Sequence, residues 1–165
     1  MRYGLSLLTA LAWALWFGGL ITVFVLVTDL FKVDRPTALV AAPRIFLRFE
    51  RFELILAAVA LLAAGIWRIC EQRVSLSIVF GFLAIATVGL VINAAVITPK
   101  MEQIRVAGES SGPRFRALHG QSMAVHSIQA MALLLAGLTL PAAMDLSSWK
   151  PKTTPEVADP TTPPA

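Results

Sequence analysis

Residues 120–143 read GQSMAVHSIQAMALLLAGLTLPAA, and this stretch decides the fold class. It holds no Asp, Glu, Lys or Arg, and it exceeds the roughly 20 helical residues that cross a 30 Å hydrocarbon core. It is not uniformly apolar, however. At about 100° per residue, His119, Ser122, His126 and Gln129 fall within one arc roughly 80° wide. Polar groups in a membrane span are costly unless partnered, so this stripe is the first candidate for a site.

Outward from that span, residues 4–28 and 74–98 are also free of acidic and basic side chains and long enough to cross. A further span is less clean, because the apolar run 54–67 is too short by itself. Its helix must start among Arg48, Glu50, Arg51 and Glu53, which places the span at about 48–70. Composition agrees with a membrane protein. Hydrophobic residues make up 57% of the 165-residue chain and charged residues 15%, against about 25% charged in an ordinary soluble domain. Mean hydropathy is +0.74. A soluble fold of this size could not cover four such helices. The expected architecture is an all-α integral membrane protein, an antiparallel four-helix transmembrane bundle over residues 1–144 with spans at about 4–28, 48–70, 74–98 and 119–143.

The first span follows Arg2 and carries a small-x-small site at Ala12, Trp13 and Ala14, as a signal peptide would. Its apolar run continues through Gly19 to Val27, beyond the 7 to 15 residues of a signal-peptide core, so it is read as a retained helix. Lys and Arg flank the spans unevenly. Nine fall in the first and third loops, and five fall at the termini and in the second loop. The positive-inside rule then puts the first and third loops in the cytoplasm and both termini outside. The localisation expected is a multi-pass membrane protein, in the cell membrane if the source is bacterial.

A net charge of +4 does not point to nucleic acid here, because the basic residues sit beside spans without an aromatic-interleaved motif. Anionic lipid headgroups near the first and third loops are the expected partners, with the bilayer itself and a homo-oligomer. Cys70 is the only cysteine, so there is no intrachain disulfide and no cysteine-based metal cluster.

The connections carry their own signals. Asp34, Arg35 and Pro36, followed by an Ala-rich run to Pro43, predict a short interfacial helix between two proline stops. The third loop opens at Pro99 and pauses at Gly108, compatible with one or two turns followed by a turn-rich segment from Glu109 to Pro113. Residues 145–165, rich in Pro, Thr and Asp, read as a disordered tail. Ala10, Ala14, Gly18 and Thr22 recur every four residues and predict a small-residue groove for close helix approach, with Ala60 and Ala64 offering the same on the second helix. Trp67, Trp149 and Tyr3 read as interfacial belt aromatics, whereas Trp13 and Trp16 lie deeper and read as packing residues.

The start of the second helix presents three faces. Arg44, Arg48 and Arg51 form one, Ile45, Phe49, Phe52 and Leu56 a second, and Glu50 with Glu53 a third. The Arg face suits phosphate, and the paired glutamates need a cation or water. An interhelical salt bridge is the plainer expectation, with Arg105, Arg114, Arg116 or His119 as partner. A proton or cation site is the other.

Asn93 followed by Val96, Ile97, Thr98 and Pro99, then Arg105, Phe115, Leu118, His119, Gly120, Gln121 and Ser122, resembles the signature of the transmembrane protein 205-like family, small membrane proteins of unknown function. Gly18, Gly19, Phe31 and the segment from Phe46 to Phe49 are similar in order and spacing to that family's first half. The resemblance covers roughly residues 15–139. It implies a four-helix integral membrane protein and brings no reaction with it. The chain departs from the family pattern at His126, where an asparagine is usual.

The stripe has three chemical readings. In the metal reading, His119, His126 and Met123 ligate an ion such as copper(I). The two histidines stand seven apart, about 10.5 Å along one helix, against the usual spacing of four, and no other histidine exists to complete a haem pair. No cofactor is expected. In the hydrogen-bonding reading, Ser122 and Gln129 reach another helix, with Asn93 the candidate partner, at about 0.6 kcal/mol per contact. His119 then holds Glu50 or Glu53, and His126, two turns deeper, is harder to solvate. In the enzyme reading, Ser122 lies between two histidines on one face, but no oxyanion donors, phosphate loop or carboxylate pair within a span accompanies it. The expectation is therefore no enzyme. It is a structural or interaction bundle with a polar stripe, or alternatively a small transporter or a proton- or metal-conducting protein whose path would use His119, Ser122, His126, Gln129, Asn93, Glu50 and Glu53.

Overall fold

The computed structural model describes residues 2–144, which are helical apart from three short connections. Residues 145–165, with the expected tail and Trp149, lie outside the described residues. Helix α1 runs Arg2–Val33, α2 Arg35–Glu71, α3 Val74–Ile92, α4 Thr98–Val106 and α5 Pro113–Met144. A π-helical turn, Asn93–Ile97, joins α3 and α4 into one rod. The four rods are each long and apolar enough to cross a membrane, and the chain is a multi-pass membrane protein of the all-α bundle class. At 1.5 Å per residue the rods are about 48–55 Å long, so they outreach a bilayer's hydrocarbon core. Neighbours in the bundle are α1 with α2 and α5, and α3 with α2 and α5.

Connections are tighter than the sequence predicts. The first is Asp34 alone, whose carboxylate accepts from the Thr37 N–H and caps α2 while Pro36 occupies its first turn. The Thr37 side chain first, and then this N–H, hold the Asp34 carboxyl below its ordinary range. No separate interfacial helix forms, because α2 runs straight through Pro43. A proline costs one backbone hydrogen bond, and the burial of Ala38 and Ala42 in this first third of α2 offsets it. The second connection turns on Gln72, in the left-handed region, and the Arg68 side chain spans it to the Ser77 hydroxyl and the Phe80 ring. In the third, Gly108 takes φ +79 where the sequence put a pause, and the turns expected after Pro99 form α4, with Pro99 in its first turn, continuous with α3. The wide π turn ahead of Pro99 removes the clash its ring would make with the preceding turn, and the rod continues.

Packing also corrects two expectations. Ala14, Gly18 and Thr22 face outward, and Gly18 has open space where a Cβ would stand. Helix α1 packs instead through Ala12, Trp16, Leu20 and Val27. The interhelical glycine is Gly19, against which the Phe49 ring lies. Trp67 is not a belt residue but fully buried among Ala60, Ala64, Leu76 and Val79 in the core cluster. Ala60 and Ala64 are buried as close-approach residues, and Trp16 is a core residue. Around the outside, Leu7, Leu11, Phe24, Leu62, Ile69, Val88 and Leu138 are exposed on all four rods, the apolar girdle that lipid covers.

Candidate functional site

Five polar side chains of the described residues are buried, and three of them stand together near mid-length of the bundle: Glu53, Asn93 and Gln129. Glu53, halfway along α2, is 1% exposed. Its Oε1 accepts from Trp16 Nε1 of α1 at 2.9 Å and from Gln129 Nε2 of α5 at 2.7 Å. One carboxylate oxygen thus ties three rods. A tryptophan buried in a span needs an acceptor for its N–H, and a helix carbonyl is already occupied, so a side-chain oxygen on a neighbour is the economical partner. Trp13 shows the other solution. Its Nε1 donates to the Leu133 carbonyl at 2.7 Å, which is reachable only because Gly137 on the next turn leaves the ring room.

One turn away lies a second cluster. His126 Nδ1 is 2.7 Å from the Asn93 side-chain nitrogen and 2.9 Å from the Ser122 carbonyl oxygen. A ring nitrogen can accept from the first or donate to the second, but not both, so each neutral tautomer of His126 has a different partner waiting. The Phe46 ring meets the imidazole edge-on at 6.2 Å. Asn93 opens the π turn, whose extra residue shifts the rod's register at the level where its side chain faces α5. Five residues on, Thr98 donates to Glu50 Oε1 at 2.9 Å. Gly89, one turn before Asn93, leaves α3 and α5 close enough that a Cβ there would stand 3.8 Å from the Gln129 Cβ.

A family model described as a domain of unknown function, DUF4149, matches residues 11–110. The chain belongs to the DUF4149 family. No curated protein and no solved structure matches it. The DUF4149 segment supplies Trp16, Glu50, Glu53, Asn93 and Thr98, and α5, beyond the matched residues, supplies His126 and Gln129. The bonds on Glu53 thus form a clamp, in which the DUF4149 segment closes on the last helix.

The stripe read from sequence separates in space. Gln129 is fully buried on Glu53, while Ser122 and His126 are half-buried. His119 is exposed and stacks on Phe115, with ring centroids 6.3 Å apart. Among the described residues it holds neither Glu50 nor Glu53, and no Arg does: Arg105 pairs with Glu102, and the two glutamates take Thr98, Trp16 and Gln129. The reason is depth. Glu53 sits in the bundle centre, more than a turn below any cationic side chain on α5, so amide and indole donors reach it first. Asn93 likewise partners His126 rather than Ser122 or Gln129. Among the described residues no three His, Cys, Asp or Glu side chains group as a metal site, and His119 and His126 do not converge. Sequence reading missed Trp16 and Thr98 as members of the network. Trp16 carried the only usable signal, an indole donor deep in a span without a polar residue beside it.

Proposed function

We propose that this DUF4149 protein is a membrane-embedded structural or interaction bundle in which the buried polar network fixes how the rods meet, and that it is not an enzyme. The observation that carries this reading is the convergence of Trp16 and Gln129 on Glu53. Between lipid-soluble helices there is little hydrophobic driving force, so such bonds and close small-residue packing decide which faces associate. The resemblance to the transmembrane protein 205-like family, through Asn93, Phe115, His119 and Ser122, implies a four-helix integral membrane protein and brings no reaction with it. The partners we infer are the bilayer, a second copy of the chain, and anionic headgroups at the exposed Arg44 and Arg48, which line a groove of about 700 Å³ on α2 with Val40 and Ile45. We place both termini outside the cytoplasm on the charge bias.

The test is purification in detergent followed by unfolding with a denaturing detergent. Gln129→Leu should lower the midpoint, and the double change with Trp16→Phe should cost more than the sum of the singles, because either donor left alone still satisfies the shared acceptor and only the double change orphans it. Full additivity, or no loss at all, would overturn the reading. A second reading, a small transporter or proton- or metal-conducting protein, draws on the two tautomeric partners of His126. It expects His126→Ala to change proton or copper(I) flux in reconstituted vesicles while the fold persists, and unchanged flux removes it.

A further inference from the structure

Hydrogen-bond counting around Glu53 leaves one donor missing. Its Oε1 already takes two N–H groups, from Trp16 and Gln129. Gln129 Oε1, on a fully buried side chain, has no partner at all. Reversing the amide does not help, because it would set the Gln129 oxygen 2.7 Å from a carboxylate oxygen, two acceptors face to face. In both orientations a hydrogen is wanted between the two side chains. The only buried side-chain N–H without a partner among the described residues is Trp67 Nε1, about 21 Å away along α2. The nearby hydroxyls are committed elsewhere: Thr9, Thr87 and Ser127 donate within their own helices, Thr98 of α4 donates to Glu50, and Ser122 meets His126.

The charge balance agrees. No Lys, Arg or His pairs with Glu53 among the described residues. Around it stand Glu50 one turn back on α2, Trp16 from α1, and Gln129 with His126 one turn back on α5, and against that stretch of α5 lie Gly89 and Asn93 of the α3 rod. An ionised carboxylate there would be buried without a cation and next to a second carboxylate, which is among the costliest arrangements a membrane interior can hold.

We propose that Glu53 binds a proton in the assembled bundle and that its O–H donates to Gln129 Oε1, closing a carboxylic acid–amide pair between α2 and α5. The inference rests on the clamp reading and adds its ligand, the proton. Assembly of the clamp takes up one proton. Loss of that proton orphans Gln129 Oε1 and sets Glu53 against Glu50, so proton release and loosening of α2 from α5 are one event. Glu50, half-buried and held by Thr98, is the next acceptor toward the bundle end that carries Arg48 and Arg51.

Infrared spectroscopy of the full chain in lipid tests this directly. At neutral pH one carboxylic-acid C=O band is expected, shifting in D₂O, lost in Glu53→Gln and kept in Glu50→Gln. A folded wild type showing only carboxylate bands overturns the proposal, since the missing donor would then be solvent. Glu53→Gln offers both a carbonyl and an N–H and should keep the wild-type unfolding midpoint, whereas Glu53→Leu should lose it. If Glu53→Gln falls as far as Glu53→Leu, the proton is not part of the clamp. If neither variant moves the midpoint, the clamp reading itself fails, whatever the spectrum. Should the glutamine variant not fold, wild type and Glu50→Gln followed with rising pH decide alone: the band should disappear as unfolding sets in, and a band indifferent to pH-driven unfolding refutes the assignment.

Discussion

Two layers of the bundle solve the same packing problem with different chemistry. Toward the α2–α3 turn, Ala57, Ala60, Ala64, Leu76, Val79, Leu83, Ala136 and Ala143 bring the rods together through small side chains and methyl contacts around Trp67. At mid-length, Trp16, Glu53, Asn93, His126 and Gln129 bring them together through directed bonds. The apolar layer tolerates sliding by a turn, since one alanine replaces another. The polar layer does not, because a displaced Gln129 would leave two buried amide groups unpaired in a medium without water. The first layer supplies contact area, and the second supplies register. Each also leaves a trace of its limits: Trp67 Nε1 is an unused donor in the apolar layer, and Gln129 Oε1 an unused acceptor in the polar one.

The sharpest way to break the contrast is Glu53→Leu, which keeps volume and removes the shared acceptor. It should cost about 2–4 kcal/mol, the desolvation of two orphaned donors, read from unfolding midpoints in mixed detergent. Gly137→Ala attacks close packing instead. The new methyl group would overlap the Trp13 ring, breaking its bond to Leu133, and a loss of about 2 kcal/mol is expected, as for overpacking elsewhere. His126 separates shape from hydrogen bonding. His126→Leu should cost about 1 kcal/mol by unpairing Asn93, whereas His126→Asn should stay within about 0.5 kcal/mol in the same assay. Gly18→Ala is the control outside both layers, with open space at its Cβ and an expected change below about 0.5 kcal/mol.

The smallest effect concerns the α2 cap. The Asp34 carboxyl is held low by its hydrogen bond to Thr37, so the cap is intact above the ordinary aspartate range and weakens as pH falls through the lowered value. Amide exchange at Thr37 should accelerate on acidification while exchange near Glu53 does not follow it. Parallel acceleration at both would mean that the two ends of α2 are not independent.

Much of this was legible beforehand. Unbroken apolar runs identify three spans outright, and the charged start of the second is correctly part of a helix. Gly108 and the Gln129 side of the stripe also behave as their chemistry requires. Pro43 misled because proline is read as a local stop, whereas a long rod held by its neighbours absorbs the missing bond, and the turns expected after Pro99 turn out to continue α3 through a π turn. The repeat of Ala10, Ala14, Gly18 and Thr22 misled for a related reason. In a span every face is apolar, so a one-face pattern does not say whether a helix or lipid covers it. Pairing His119 with Glu50 or Glu53 failed on depth, which charge alone does not encode.

The sequence by itself determined the medium and the element type, because hydrocarbon admits only segments whose backbone groups bond internally, and four such segments are written in the composition. It also determined that the polar residues must find partners. Which partners they found was decided only in three dimensions. Trp16, Glu53 and Gln129 lie 37 and 76 residues apart along the chain, and only the stacking of α1, α2 and α5 puts two donors on one oxygen.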